Sequence, residues 1–251
     1  MNVNILILKG DGLNCENETS FAFRKNGGVA REIHINDLLD SPSTLFDYDI
    51  FVIPGGFSFG DDLGAARVLS IKLKHGLEDE LRKFISLGRP ILGICNGAQA
   101  LVNLGLLPFG DFKQSMTITQ NVPKGFIDNW QELDVSTSRC KWIPQQLKCI
   151  HMPIRHGEGR FIFESEEVLD KVIRNGQVVL RYKTTPNSST YDIAGLTDPT
   201  GLVFALMPHP EAAIDLNVLP EGISNSDTNI IFKTIIDYAR DCKESGYESS
   251  F

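Results

Sequence analysis

The sequence predicts an α/β fold, with a mostly parallel central sheet flanked by helices and extended by an antiparallel portion. In the first half of the chain, short and nearly continuous apolar runs alternate with helix-like stretches, which is typical of parallel strands covered on both faces. After residue 114, strand-like runs follow one another through turns, which indicates antiparallel pairing. No linker-like segment divides the 251 residues, so we expect one domain over residues 1–251.

The first half contains four predicted strands and three predicted helices. Asn14 is expected to cap the first helix, and glycines follow the ends of the helices, as is common at helix termini. The strands are predicted at residues 3–10, 30–36, 48–56 and 90–95, and the helices at residues 15–28, 77–88 and 97–105.

The second half continues with five predicted strands and two predicted helices. The strands are predicted at residues 115–121, 130–138, 149–163, 177–183 and 200–211, and the helices at residues 165–176 and 227–245. Functional loops of a parallel sheet lie at the carboxyl ends of its strands. We therefore expect residues 54–62, residues 95–99 and the loop that holds Asn14 and Cys15 to share one rim.

Composition excludes several classes of protein. The net charge of −8 argues against a protein whose main ligand is nucleic acid or an anionic membrane. The five cysteines lack the paired spacing of a zinc site or a disulfide framework, so no metal site is expected. The first residues, MNVNILILKGDG, lack a basic leader and are too short for a membrane span. We expect a cytoplasmic protein with reduced thiols.

Cys95 lies where a predicted strand turns into a predicted helix, in GICNG. Such a turn projects the side chain clear of the sheet, and the helix N-terminus favours the thiolate form. The N–H of Asn96 can point at a developing oxyanion, while Gly93 and Gly97 allow close packing around the turn. A buried core thiol explains this motif equally well when it is considered alone.

A catalytic thiolate needs a base, and His209 is the best candidate of the five histidines. His34 and His75 have ordinary surroundings, whereas His209 follows an apolar strand and lies between two prolines that fix its backbone. Glu211, two residues further on, can orient the imidazole. The alternative for His209 is a surface histidine in a proline-rich turn.

Two glycine-rich stretches accompany these residues. Gly55 and Gly56 end a predicted strand and let the backbone approach a ligand closely, and their N–H groups can complete an oxyanion site. The ATP-binding patterns G-x-G-x-x-G and G-x-x-x-x-G-K are absent here. Residues 155–160, RHGEGR, form either an ordinary hairpin or a charged loop that contacts a partner or the rim of the site.

The sequence resembles the class I, or triad, glutamine amidotransferases, whose flavodoxin-like fold it is expected to share. Within them it resembles the glutaminase components of phosphoribosylformylglycinamidine synthases. The resemblance covers nearly the whole chain and follows the family's order through LNCENET, PGGFSFGDDLGA, GICNGAQAL, GLLP, HGEGRF, PNSS, IAGLTDPTG and MPHPE. Asparagine after the cysteine, here Asn96, is the most discriminating of these features.

The resemblance implies a role for each matched residue. Cys95 becomes the nucleophile, His209 its base and Glu211 the orienting carboxylate. Gly56 and Asn96 become the backbone oxyanion donors. The substrate-binding residues become Gly55 and Gln99. One departure is Ala212, which stands where the family commonly has arginine, so any ion pair made by that arginine is missing or replaced.

The resemblance also implies the reaction and its partners. Glutamine is hydrolysed through a cysteinyl thioester, and the ammonia passes to a synthetase subunit of phosphoribosylformylglycinamidine synthase, with a small third subunit as a further expected component. The synthetase uses ATP and Mg²⁺, and no cofactor is expected in this chain. Apart from the resemblance, residues 156–160 and the rim near Asp61 and Asp62 are the candidate docking surfaces.

Two other hypotheses remain at this point. The chain can be a triad amidotransferase subunit that serves a different synthetase, such as one making guanylate or carbamoyl phosphate. It can also be a relative of the fold that has a reactive cysteine but no working triad. Asn96 and HGEGRF argue against the first, and the pairing of His209 with Glu211 argues against the second.

Overall fold

The computed structural model describes residues 1–223 and 228–246. In this part of the chain the strands are β1 (Asn4–Lys9), β2 (Val29–His34), β3 (Ile50–Ile53), β4 (Ile91–Ile94), β5 (Met116–Gln120), β6 (Ile127–Val135), β7 (Cys149–His156), β8 (Glu158–Phe163), β9 (Val178–Tyr182), β10 (Ile193–Thr197) and β11 (Val203–Leu206). The α-helices are α1 (Glu16–Lys25), α2 (Ile35–Asp40), α3 (Arg67–Ser86), α4 (Asn96–Leu104), α5 (Glu166–Arg174) and α6 (Asn229–Glu244).

Nine strands form one sheet in the order β2-β1-β3-β4-β11-β10-β9-β6-β7. The first five of these strands pair in parallel, and the remaining pairs are antiparallel. Strands β5 and β8 form a separate antiparallel pair. The predicted fold class, a mostly parallel sheet with an added antiparallel portion, is confirmed.

Helices cover both faces of the parallel strands. Strand β2 lies on one side of β1 and β3 on the other, and right-handed crossovers then place α1 on one face and α3 with α4 on the opposite face. Helix α1 packs on α6, where the rings of Phe23 and Phe232 meet edge to face at 5.1 Å. Helix α3 packs on α4.

The central strands are apolar because both of their faces are covered. Every residue of β3 and β4 is buried, as is every residue of β10 and β11. The parallel strands β1, β3, β4 and β11 have their carboxyl ends at the same edge of the sheet. Loops that follow these four strands therefore meet, and the rim predicted from the sequence is formed there.

Some element boundaries differ from the prediction. Helix α3 begins at Arg67 rather than at residue 77, so Gly76 lies inside it. A Cβ at this position would run into the side chain of Leu39. Ile35 and Asn36 begin α2 instead of ending β2. Strand β10 was not predicted as a strand. Residue 227, the predicted first residue of the last helix, lies outside the described residues.

The segment 149–163 is two strands that belong to different sheets. Strand β7 pairs with β6, whereas β8 pairs with β5, and Gly157 lies between them. The RHGEGR stretch is therefore not an ordinary hairpin, but the place where the chain leaves the large sheet for the small one.

None of the helices in residues 1–223 and 228–246 combines the length and the apolar character that a membrane crossing requires.

Candidate active site

Cys95 lies at a strained turn between β4 and α4. Its backbone has φ 49° and ψ −105°, a conformation that residues other than glycine rarely adopt. The Cys95 N–H donates to the Leu206 carbonyl at 2.8 Å, and its own carbonyl accepts from the Gln99 N–H at 3.0 Å. These bonds fix the turn between β11 and the first turn of α4, with the thiol at the carboxyl edge of the sheet.

The glycines on either side of Cys95 are required by packing. A Cβ on Gly97 would lie 1.9 Å from the Ile53 carbonyl oxygen, and a Cβ on Gly93 would lie 2.8 Å from the Gly97 carbonyl oxygen. Both obstacles are backbone atoms, which cannot move aside cheaply. The G-x-C-x-G spacing thus allows α4 to sit directly on β3 and β4.

His209 and Glu211 form a buried pair at the end of β11. The His209 N–H donates to the Pro153 carbonyl at 2.8 Å, and Nδ1 of its ring lies 2.6 Å from Oε1 of Glu211. The exposed fractions are 2% for His209 and 3% for Glu211. Residues Pro210–Ala213 form a short 3₁₀ turn, which points Glu211 back at the imidazole.

The environment of His209 favours the imidazolium. Burial alone would lower the pKa of His209, but the Glu211 carboxylate and the neighbouring thiols of Cys95 and Cys15 raise it well above its ordinary value. Nε2 of His209 is buried, and within residues 1–223 and 228–246 no group is aligned for a hydrogen bond with it. This nitrogen is therefore available to a reacting atom.

Gly55 lies beneath the cysteine and the histidine. A Cβ on Gly55 would lie 2.8 Å from Cε1 of His209, 3.3 Å from Sγ of Cys15 and 3.5 Å from Cβ of Cys95. The Gly55 carbonyl accepts from the N–H groups of Asn14 and Cys15. The predicted cap role of Asn14 is wrong, because Cys15 occupies the N-cap position with no side-chain cap bond and the Asn14 Oδ1 instead accepts from the Cys15 thiol.

Two N–H groups beside Cys95 are available to a ligand. In the described part of the chain, the N–H groups of Gly56 and Asn96 bond to no protein acceptor, and Asn96 is the first residue of α4, where an N–H has no partner within the helix. Gly56 has φ 145°, and a Cβ there would lie 2.6 Å from the Gly12 carbonyl oxygen. Only glycine fits this position.

The Asn96 side chain connects α4 to the loop after β3. Its Oδ1 accepts from the Ser58 N–H at 3.0 Å. Its Nδ2 donates to Oδ1 of Asp61 at 3.1 Å and to Oε1 of Gln99 at 2.9 Å. An amide is needed for this arrangement, since one group accepts and the other donates.

Gln99 lies one turn beyond Cys95 with its amide already bonded to the protein. Its Nε2 donates to the Glu158 carbonyl at 2.6 Å, and its Oε1 accepts from Asn96. Gln99 is buried and lies outside the described lining of the cavity next to Cys95. It joins α4 to the residues 155–160, and the Arg155 carbonyl of that segment lies 3.7 Å from Sγ of Cys95.

A cavity of about 200 Å³ opens at the thiol. It is smaller than the cavities that hold drug-sized ligands, and it carries both a cationic and an anionic side chain, Arg155 and Glu18. Two exposed aromatic side chains, Phe57 and Phe126, stand at its mouth with ring centroids 6.4 Å apart. The cavity is lined by Asn14, Cys15, Glu18, Gly56, Phe57, Cys95, Phe126, Arg155 and His209.

A larger cavity of about 520 Å³ lies beside this one, and Glu18, Arg155 and Glu211 contribute to it. Ala212 lines it as well. Ala212, at the position where an arginine was expected from the resemblance, therefore borders open space, and its methyl side chain can form no ion pair.

His156 is a buried histidine close to the pair. It is 2% exposed, and neither ring nitrogen has a hydrogen-bond partner in the part of the chain that the structure describes. Burial, together with the charge of the nearby His209, lowers the pKa of His156 to about 4. The imidazole is therefore neutral at neutral pH, and it packs over Gly159, where a Cβ would lie 2.1 Å from the ring.

Sequence reasoning placed Cys15 on the rim without a role and did not single out Glu18 or His156. The structure brings Cys15 next to His209 because the loops after β1 and β3 are bonded together. The signal in the sequence was the position of Cys15 directly after the first strand.

Comparison with known proteins agrees with this geometry. The sequence profile of the CobB/CobQ-like glutamine amidotransferase domain matches residues 2–239. Phosphoribosylformylglycinamidine synthase subunit PurQ of Methanococcus maripaludis is 38% identical, with 93% of this chain and 97% of the relative covered. The subunit PurQ of Dehalococcoides mccartyi is also 38% identical, with 95% and 98% covered.

A solved structure is similar as well. The structure of PurLQS from Thermotoga maritima contains a chain that superposes with a TM-score of 0.75 at 30% identity, covering 95% of this chain and 99% of that chain. The match of the family profile and the identity to the PurQ subunits both extend over most of the sequence. The chain therefore belongs to the CobB/CobQ-like glutamine amidotransferase family, in its PurQ branch.

Proposed function

We propose that this chain is the glutaminase component of a phosphoribosylformylglycinamidine synthase. The observation that carries the proposal is the 2.6 Å contact of His209 with Glu211, next to a thiol held at a positive φ. A buried core thiol would need neither the strained backbone of Cys95 nor a charged pair beside it.

In the first half of the reaction, the Cys95 thiolate attacks the side-chain amide carbon of glutamine. The N–H groups of Gly56 and Asn96 are the donors for the oxyanion that develops. The His209 imidazolium, stabilised by Glu211, protonates the nitrogen that leaves as ammonia. A γ-glutamyl thioester then remains on Cys95.

In the second half, the neutral His209 accepts a proton from water. The resulting hydroxide attacks the thioester, glutamate departs, and the Cys95 thiolate is restored. Glu211 holds the same ring orientation through both halves, because Nδ1 is bonded to its carboxylate and Nε2 faces the reacting atoms.

Glutamine is a zwitterion, and the cavity has a charge for each end. We assign the Arg155 guanidinium to the α-carboxylate and the Glu18 carboxylate to the α-ammonium group, since both line the cavity at Cys95. Gly55 leaves room for the substrate side chain. Gln99 acts on substrate binding by positioning the Glu158 segment rather than by projecting into the cavity.

The ammonia is used by a synthetase subunit, which supplies the ATP and Mg²⁺ chemistry, and a small third subunit completes the assembly. Residues 1–251 act as a single domain without a cofactor of their own. All five cysteines are free thiols, which fits a cytoplasmic location.

The experiment is reconstitution with the synthetase and the small subunit. The complex should convert formylglycinamide ribonucleotide with glutamine, and Cys95→Ser should abolish that reaction while ammonium salts still support it. Cys149→Ser, which changes an exposed thiol, is the control. The proposal would be refuted if the wild-type chain failed to support this glutamine-dependent reaction but supported glutamine-dependent amination by a guanylate synthetase.

A further inference from the structure

The two proposed oxyanion donors belong to separate segments of the chain. The Gly56 N–H lies in the loop after β3, whereas the Asn96 N–H begins α4. Donors stabilise an oxyanion only when both are held at hydrogen-bond distance from the place where its charge develops. The spacing between these two segments therefore decides how well the reaction is stabilised, and a contact that fixes the spacing acts on catalysis.

The side chain of Asn96 joins the two segments. It is 1% exposed, and its Oδ1 accepts a hydrogen bond of 3.0 Å from the N–H of Ser58, which is two residues beyond Gly56. One residue thus carries one donor on its backbone and holds the loop of the other donor through its side chain. Phe57 and Phe59, on either side of Ser58, donate to carbonyls of the loop after β1 at 2.8 and 2.7 Å. The loop after β3 is therefore held by the loop after β1 and by α4.

The loop after β3 needs these contacts because its backbone is strained. Phe59 has φ 52°, Asp61 has φ 52° and Ala66 has φ 57°, values that residues other than glycine rarely adopt. Such conformations persist only where the surrounding structure holds them. Without its bond to α4, the loop is expected to relax toward ordinary backbone angles and to move Gly56 with it.

Asp61 fixes the orientation of the Asn96 amide. Its Oδ1 accepts from Nδ2 of Asn96 at 3.1 Å and from the Ala66 N–H at 3.0 Å. Oε1 of Gln99 accepts from the same Nδ2 at 2.9 Å. Two acceptors beside Nδ2 leave Oδ1 to face the Ser58 N–H, because a flipped amide would set its oxygen against two other oxygen atoms.

We infer that Asn96 and Asp61 are positioning residues for the oxyanion hole. The Asn96 side chain, oriented by Asp61, sets the distance between the N–H groups of Gly56 and Asn96. Neither residue belongs to the described lining of the cavity at Cys95, so both act through the loop and not on glutamine itself. The inference rests on the proposed glutaminase function. Because the oxyanion exists only in the transition state, loss of either side chain should lower kcat and leave the KM for glutamine nearly unchanged.

The test compares the substrate with a transition-state analogue in the assembled complex. The Cys95 sulfur adds to the carbonyl carbon of glutamate γ-semialdehyde with no leaving group, so the aldehyde oxygen occupies the oxyanion position. Asn96→Ala should lower kcat about tenfold or more and weaken semialdehyde binding by a similar factor, with the KM for glutamine within about twofold of wild type. Asp61→Ala should have a smaller effect of the same kind, since the bond of Asn96 to Ser58 remains.

Asn103→Ala is the matched control. Asn103 also lies on α4, and its amide also bonds to the segment after β3, where it donates to the Ala65 carbonyl at 2.9 Å. It is about two helical turns beyond Cys95, so its loss should leave kcat and semialdehyde affinity as in wild type. Each variant should still elute with the synthetase in size-exclusion chromatography.

A reversal of polarity keeps the inference testable if Asn96→Ala fails to fold. Asn96→Asp sets a carboxylate against Asp61 and should lower kcat, whereas the added Asp61→Asn supplies a donor and should recover kcat by about threefold or more. The inference is overturned if the second substitution recovers nothing, or if Asn103→Ala is impaired as strongly as Asn96→Ala.

The inference is also overturned if Asn96→Ala keeps the wild-type kcat, if its KM rises as much as its kcat falls, or if semialdehyde binding does not weaken with kcat. A wild-type complex that releases no ammonia from glutamine would refute the proposed function instead. The two failures are distinct, because the inference is read from variants relative to a working wild-type complex.

Discussion

The side-chain amide of Gln99 donates a 2.6 Å hydrogen bond to the backbone carbonyl of Glu158. Because Gln99 is one turn beyond Cys95 in α4 and Glu158 begins β8, this bond joins the nucleophile's helix to the segment that passes over the thiol. The geometry of the cavity therefore depends on a side chain that does not line it.

Replacement of Gln99 by methionine is expected to destabilise the fold. Gln99→Met leaves the Glu158 carbonyl without its donor and removes an acceptor from Asn96, at a cost of about 1–3 kcal/mol in the free energy of unfolding. Urea unfolding measures this, with the exposed Gln146→Met as the control. An unchanged free energy of unfolding combined with a higher KM for glutamine would show instead that Gln99 binds the substrate directly.

An added methyl group should reduce the stability of the protein at Gly97 but not at Gly157. Gly97→Ala forces a Cβ against the Ile53 carbonyl oxygen and is expected to cost more than about 3 kcal/mol or to prevent folding. No atom of the described residues lies within 4 Å of a Cβ on Gly157, so Gly157→Ala should keep wild-type stability. Thermal unfolding of both variants checks this, and equal melting temperatures would contradict the packing described for α4.

His156 should make the protein less stable in acid. Its pKa is about 4 in the folded protein and about 6.5 when unfolded, so between these values the unfolded chain binds more protons and stability falls as pH falls. The loss is at most about 3 kcal/mol. Unfolding free energies at several pH values should show a shallower fall for His156→Gln, while the exposed His75→Gln should follow wild type.

Arg155 and Glu18 should govern the affinity for glutamine. Arg155→Ala and Glu18→Gln are each expected to raise KM by about tenfold with a smaller change in kcat, because a charged hydrogen bond to substrate is lost. Steady-state kinetics of the assembled complex provide the measurement, with Arg174→Ala on α5 as the control. Wild-type KM in both variants would mean that other groups hold the two ends of glutamine.

The fold and the chemistry of the site were predictable to different degrees. Strands such as β3 and β4 were found because they are apolar throughout, which follows from burial on both faces. Helix α3 was predicted to begin ten residues too late, because Gly76 has a low helix propensity. Its packing against Leu39 is a tertiary contact, which helix propensity does not take into account.

The candidate triad was predictable for a topological reason. Cys95 follows β4 and His209 follows β11, and these strands are adjacent and parallel, so their carboxyl ends bring the two residues together. The position of Cys15 was harder to predict, because it depends on hydrogen bonds between the loop after β1 and Gly55. The positions of Arg155 and His156 were harder to predict because residues 155–160 pass from one sheet to the other.

The most direct test of Cys95 as the nucleophile is the reaction of the assembled complex with an electrophilic diazoketone analogue of glutamine, followed by intact mass and peptide mapping. One adduct is expected, on Cys95, formed much more slowly in His209→Ala and absent in Cys95→Ala. An adduct on Cys15 or Cys149, or a complex that turns over glutamine while Cys95 stays unlabelled, would contradict the assignment of Cys95 as the nucleophile.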